Sequence, residues 1–214
     1  MKYHKLVENA KKPNGFWGKM MIKAMNKGHS SLTSWGLEHM NIERTATVLD
    51  IGCGGGKTVD RLCSIVANGK VYGIDYSELS VKSSEKLNSK NILCNKAKIL
   101  QAPVSDMPFD DNTFDNITAV ETYYFWPDKE NDVKEVFRVL KQGGTVMLLF
   151  EMLRTDDDPF KWEKVENMLN IKSVTPQEIR AVLESAGFEN INTYTKEGTT
   201  WLCATAQKPK DDEN

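Results

Sequence analysis

The chain has 214 residues, with 28 Lys and Arg against 30 Asp and Glu and a formal net charge of −2. That length suits one α/β domain with modest additions, and the near-neutral balance argues against a nucleic-acid surface spread over the whole protein. No apolar stretch reaches membrane-spanning length, no basic-then-apolar signal opens the chain, and Cys53, Cys63, Cys94 and Cys203 lack the short paired spacing of a zinc site or disulfide framework, so a cytoplasmic, reduced, soluble protein is expected.

Residues 1–28 carry seven lysines against one glutamate. Phe16, Trp17, Met20, Met21, Ala24 and Met25 share a face at helical spacing, and Gly28 stands where a helix would stop. Three readings fit: an amphipathic helix packed on the domain, a mobile cover whose Met and aromatic side chains face a substrate, or a helix on a membrane surface. His29 precedes Ser30, read as the N-cap of a helix carrying Leu32, Trp35 and Met40. A lone histidine is usually structural, yet here it stands just ahead of the next strand, where it would reach a ligand.

Val48-Leu49-Asp50-Ile51 is a short β-branched run that reads as a buried parallel strand. Gly52-Cys53-Gly54-Gly55-Gly56 follows, and then Val59, Leu62, Cys63 and Val66 recur on one face of a helix ending near Asn68-Gly69. Strand, glycine turn and helix make half of a ligand crevice: glycines let backbone approach a ligand, and the helix N-terminus offers unpaired N–H groups. A phosphate loop would need glycine where Ile51 stands. A dinucleotide fingerprint would need its third glycine at Lys57 or Val59. Cys53 is most simply a small residue in a crowded loop, although a thiol beside a helix N-terminus is also a candidate for reactivity.

Lys70 to Asp75 is a second strand with an acid at its carboxyl end, at the interval from Gly52 that places a carboxylate on a ribose hydroxyl pair. Ser77 and Glu78 open a helix to about Asn88. Residues 89–98 read as a loop and Ile99 to Ala102 as a third strand. Phe114 to Val120 is a fourth strand, leading into Glu121-Thr122-Tyr123-Tyr124-Phe125-Trp126-Pro127. Residues just past a strand's carboxyl end line the crevice, so Glu121 is the best-placed ionisable group and at least one of the four aromatics faces the ligand. Asp128 opens a helix carrying Val133, Val136, Phe137 and Leu140, stopped by Gly143-Gly144, and Thr145 to Phe150 is a fifth strand.

Residues 151–172 interrupt the pattern, with a short helix expected from Asp158-Pro159 to Leu169 and a substrate lid carrying Phe160, Trp162 and Met168 as the functional reading. Asp156-Asp157-Asp158 has no partner ligands at useful spacing, and no metal is assigned. Thr175-Pro176-Gln177-Glu178 is a capping box whose helix ends at Gly187. Phe188 to Tyr194 and Thr199 to Ala206 form a closing antiparallel hairpin. The expected divisions are a helical cap over 1–45, an α/β domain over 46–206, and a charged, disordered tail over 207–214. Alternating strands and helices with that hairpin give a doubly wound, mostly parallel seven-stranded sheet.

The run Asp50-x-Gly-x-Gly-x-Gly, Asp75, the stretch Met107-Pro108-Phe109-Asp110-Asp111, and Phe137-Arg138-Val139-Leu140-Lys141-Gln142-Gly143-Gly144 resemble class I S-adenosylmethionine-dependent methyltransferases. The resemblance spans residues 46–206 and is nearest to the small-molecule branch of quinone- and sterol-type enzymes. It implies S-adenosylmethionine as cofactor, with S-adenosylhomocysteine as product, held by Asp50, Gly52, Cys53, Gly54, Asp75, Tyr76 and Glu121. The acid that usually reads adenine is replaced by Pro103, which leaves the Val104 amide and Ser105 or Asp106 for that task. Glu121, Tyr123 and His29 are the candidate bases if the acceptor must lose a proton. A small-molecule acceptor is expected. A nucleic-acid methyltransferase using the basic arm, or a non-catalytic S-adenosylmethionine-binding protein, are the alternatives. The sequence assigns neither the acceptor atom nor an oligomeric state.

Overall fold

In a computed structural model, which describes residue 13 and residues 15–210, seven strands form one sheet in the order β3-β2-β1-β4-β5-β7-β6. The strands are β1 (Thr47–Ile51), β2 (Lys70–Asp75), β3 (Ala97–Gln101), β4 (Phe114–Val120), β5 (Leu140–Phe150), β6 (Glu189–Thr195) and β7 (Leu202–Gln207). β1 to β5 run parallel, and β7 is antiparallel to both β5 and β6. This is the doubly wound sheet with its closing hairpin that the element pattern predicts.

The parallel strands are apolar along their whole length because both faces are covered. Leu49, Ile51, Ile117, Leu148 and Phe150 point to one face, into a core completed by α6 (Lys129–Val139) and α8 (Pro176–Ser185). Val48 and Val71 point to the other, against Val59, Leu62 and Cys63 of α3 (Lys57–Ile65) and Val81 of α4 (Glu78–Leu87). Farther along that second face, Met147 and Leu149 of β5 receive Leu32 and Trp35 of α2 (Ser30–Leu37). β1 therefore ends at the middle of the sheet, with β2 on one side and β4 on the other. Chains leave β1 and β4 toward opposite faces, and this switch point is where open α/β sheets bind ligands.

The capping box forms as read: Thr175 Oγ1 accepts the Glu178 N–H at 3.2 Å and the Glu178 carboxylate accepts the Thr175 N–H at 2.9 Å. Several expectations are corrected. Residues 89–98 are not all loop, because Ser89–Leu93 form a short helix, α5, and β3 starts two residues early. α6 stops at Val139 rather than at Gly143-Gly144. Those glycines lie inside β5, where Gly144 sits so close to the Asp115 carbonyl that a Cβ would meet it at 2.9 Å. Asp158 does not cap the helix of the insertion; α7 covers only Glu163–Leu169, with Trp162 at its N-cap position, and Asp158 bridges back to Thr155. α2 is capped at His29, making Ser30 its first residue, and it ends before Met40.

The cap helix α1 (Gly15–Gly28) differs most from its reading. Of the expected inner face, Trp17 is 48% and Met20 51% exposed, whereas Ile22, outside that face, is buried. The side chains of Phe16, Ala24 and Met25 fall outside the described residues. The first part of the expected tail, residues 207–210, packs back on the domain, and residues 211–214 lie outside the described residues. Lys208 is buried, its ammonium donating to the Phe137 carbonyl at 2.8 Å, the Leu140 carbonyl at 2.9 Å and Asn112 Oδ1 at 2.8 Å.

Candidate functional site

The glycine loop turns on three residues with positive φ, Gly52, Gly54 and Gly56. Gly52 has a second reason to be glycine: a Cβ there would stand 2.7 Å from Thr122 Cβ, so the ends of β1 and β4 touch only because none is present. The loop is then pinned from β2. Asp75 accepts the Gly54 N–H on Oδ2 at 2.9 Å and the Ser77 N–H on Oδ1 at 2.8 Å. Burial raises the Asp75 pKa, and these two N–H groups pull it back.

Asp50, at the end of β1 behind the loop, is almost wholly buried, and its Oδ1 accepts the Thr118 hydroxyl at 2.7 Å. Burial pushes it up to about 7, the Thr118 hydroxyl opposes this, and the Asp75 charge adds to it. Cys53 is buried 3.8 Å from Ser84 Oγ. Its thiol is pushed well above its usual value by burial and by the Asp50 and Asp75 carboxylates, so the reactive reading is set aside.

A cavity opens above this loop, with about 890 Å³ of non-atom space counted out into its open mouth. Its floor is Asp50, Gly52, Cys53, Gly54 and Gly55, its β2 wall Asp75 and Tyr76, and its β4 wall Val120, Glu121, Thr122 and Phe125. The roof is the cap: Pro13, Ile22, His29, Ser30 and Thr33. The cap is tied down beside the cavity. Ser77 Oγ donates to the Pro13 carbonyl at 3.1 Å, and Arg61 of α3 donates to the Ser30 carbonyl at 2.9 Å and to Ser34 Oγ at 2.7 Å.

Glu121 stands at the far end. It has φ +57, whereas every other described non-glycine residue with positive φ is asparagine. Such a conformation costs about 1–3 kcal/mol and is held by its surroundings. Here the Glu121 N–H donates to the Leu149 carbonyl at 2.9 Å, and its carboxyl accepts the Glu151 N–H and the Tyr124 hydroxyl, the latter at 3.4 Å. Burial pushes Glu121 up to about 8, with the Glu151 charge adding and the two hydrogen bonds opposing. His29 Nε2 lies 3.9 Å from Glu151 Oε2, and burial lowers its pKa against the pull of that carboxylate, so the imidazole is neutral at pH 7.

Most of the residues predicted from sequence thus meet in one place, and Tyr123, Val104, Ser105 and Asp106 do not. Tyr123 is 5% exposed and turned into the core, 5.3 Å from the Trp126 ring and 5.6 Å from Phe150. Val104 is buried in the main core and Ser105 is exposed, both off the cavity lining and beyond the Tyr76 rim. Of the four aromatics after β4, Phe125 is the one on the lining. Phe160 is 72% exposed, while Trp162 packs on the core and donates to the Leu153 carbonyl at 3.0 Å; neither they nor Met168 reach the cavity. Sequence reasoning missed Arg61, Thr122 and Glu151. Arg61 and Glu151 are ordinary surface charges in a linear reading, and only the tertiary fold brings them here.

The methyltransferase domain family matches residues 49–148, from β1 to β5. The chain is 31% identical over 181 residues to the ubiquinone/menaquinone biosynthesis C-methyltransferase UbiE of Cronobacter sakazakii, covering 73% of this chain and 72% of that one. The chain belongs to the S-adenosylmethionine-dependent methyltransferases. A second methyltransferase relative, the uncharacterized YdaC of Bacillus subtilis, is 27% identical over 183 residues, 85% of this chain and 93% of that protein. A methyltransferase structure from Aquifex aeolicus superposes with a TM-score of 0.68 at 22% identity, over 87% of this chain and 96% of the other, and so shares the fold. The methyltransferase's cofactor is accordingly S-adenosylmethionine. The site's chemistry fits it: a glycine-rich loop whose backbone a ligand can approach, and beside it the Asp75 carboxylate, able to accept hydroxyl protons.

Proposed function

We propose that the protein transfers a methyl group from S-adenosylmethionine to a small-molecule acceptor held beneath the cap and the loop after β4. The observation that carries this is the roofed cavity itself: one end is the Asp75-pinned glycine loop, the other is His29 and Glu121 beside Phe125. Asp75 would take the ribose hydroxyls, the Gly52–Gly56 loop would lie under the amino-acid portion, and the rim past Tyr76 toward Val104 and Ser105 would take the adenine. When bound, the cofactor supplies a methyl on a sulfonium, a good leaving group.

The chain's own part is to position the acceptor and keep water out. Ile22 and Phe125 supply apolar wall at the reacting end, which favours an in-line approach in a desolvated space. Glu121 lies where a positive charge on the donor gains most from a buried carboxylate, so donor binding and Glu121 ionisation support each other. His29 stands on the acceptor side of the cavity. Tyr123 is assigned no part.

Calorimetry with S-adenosylmethionine, S-adenosylhomocysteine and NAD in parallel, followed by a panel of small acceptors, tests this. One-to-one binding of the first two, none of NAD, and methyl transfer to a small acceptor are expected. Binding of S-adenosylmethionine with transfer only to RNA or DNA would replace the acceptor class.

A further inference from the structure

His29, Glu121 and Glu151 come from three distant stretches of chain: the cap junction, the residue after β4 and the residue after β5. One ligand atom from each lies within 4.8 Å of the other two, and His29 Nε2 is 3.9 Å from Glu151 Oε2. We infer that these three side chains form a binding site for one divalent first-row transition-metal ion at the acceptor end of the cavity. Three atoms so placed have a common point no more than about 2.8 Å from each, against roughly 2.0–2.2 Å for metal bonds to imidazole nitrogen or carboxylate oxygen. A rotamer adjustment of about half an ångström closes that gap. At 3.9 Å, His29 Nε2 and Glu151 Oε2 are too far apart for a hydrogen bond.

Charge argues the same way. Two carboxylates face each other, and among the described residues neither forms an ion pair with a lysine or arginine; the one basic group against them is His29. Of the cations on the cavity wall, Arg61 is engaged by Ser30 and Ser34, and Lys57 pairs with Asp60. The Glu121 backbone, held at φ +57, aims the carboxyl there. One nitrogen and two oxygens suit Zn²⁺, Co²⁺ or Mn²⁺, and three protein ligands leave positions open on the cavity side. If the methyl-transfer reading holds, on which this last step rests, the open positions would take the acceptor through a hydroxyl or enol oxygen and ease loss of its proton to solvent.

The test is equilibrium dialysis and visible absorption with Co²⁺ on chelator-stripped full-length protein, comparing wild type, Glu151→Gln and His29→Asn. S-adenosylhomocysteine affinity is measured on each sample. Expected are one equivalent of Co²⁺ in wild type, no intense thiolate-to-cobalt band, and at least tenfold weaker binding in both variants. Glu151 is off the cavity lining, so Glu151→Gln should bind S-adenosylhomocysteine as wild type does. Substoichiometric Co²⁺, a thiolate spectrum, or unchanged affinity in both variants overturns the site. Loss of S-adenosylhomocysteine binding with Co²⁺ retained would count against the methyl-transfer reading and leave the metal site standing.

Discussion

Asp75 holds Gly54: the carboxylate Oδ2 accepts the loop's N–H at 2.9 Å, so the group expected on the ribose also fixes the loop beneath it. Asp75→Ala removes both functions. The expected result is a loss of about 1–3 kcal/mol in S-adenosylmethionine binding, read by calorimetry, from charge-assisted hydrogen bonds no longer made. Unchanged affinity would take Asp75 out of the site.

Gly52→Ala should fail in a different way. Its Cβ would meet Thr122 Cβ at 2.7 Å and lie closer still to Oγ1, in a backbone with φ +67. β1 and β4 are both central strands, so the clash has nowhere to relax. A destabilisation of at least about 2 kcal/mol in urea unfolding is expected, from strain and overpacking together. A second change, Thr122→Ala, should recover the part due to Oγ1 and Cγ2, but neither the Cβ–Cβ contact nor the share due to positive φ.

Asp50 predicts a pH dependence. Its folded pKa, about 7, lies above the ordinary carboxylate value. The folded state therefore binds the proton more tightly than the unfolded one. Stability is fully present below pH 4 as far as this group is concerned, and falls as pH rises toward and through 7. Asp50→Asn keeps the shape and the hydrogen bond to Thr118 without the charge. It should be more stable than wild type at pH 8, by at most about 4 kcal/mol, with the advantage vanishing near pH 4. Parallel urea titrations at the two pH values decide this.

Lys208 is a structural cation at the end of α6. Lys208→Met leaves the Phe137 and Leu140 carbonyls and Asn112 without a buried donor. A loss of about 2–4 kcal/mol in stability is expected. Affinity for S-adenosylhomocysteine should not change, because Lys208 lies at the opposite end of β5 from the cavity.

Those four residues also show what a linear reading carries. Asp75 and Gly52 announce themselves, because a short apolar run, an acid and closely spaced glycines have few physical uses together. The capping box at Thr175 is equally local. Lys208 reads as tail because its partners, Asn112 and the α6 carbonyls, are distant in sequence. Trp17 and Met20 read as an inner face, since periodicity finds the apolar stripe of a helix but not how the helix is rotated on its neighbours. Asp158-Pro159 has the chemistry of a helix start, yet the bridge to Thr155 holds it in a turn. The convergence of His29 with Glu121 and Glu151 is legible only once β4 and β5 lie side by side.

The central claim is that the cavity between the glycine loop and the cap receives the methyl donor. A crystal structure with S-adenosylhomocysteine tests it most directly. The account predicts the ribose hydroxyls on Asp75 and the sulfur pointing toward Glu121 and Phe125. A product molecule lodged elsewhere, or a cleft filled by the side chains of the cap, would contradict it.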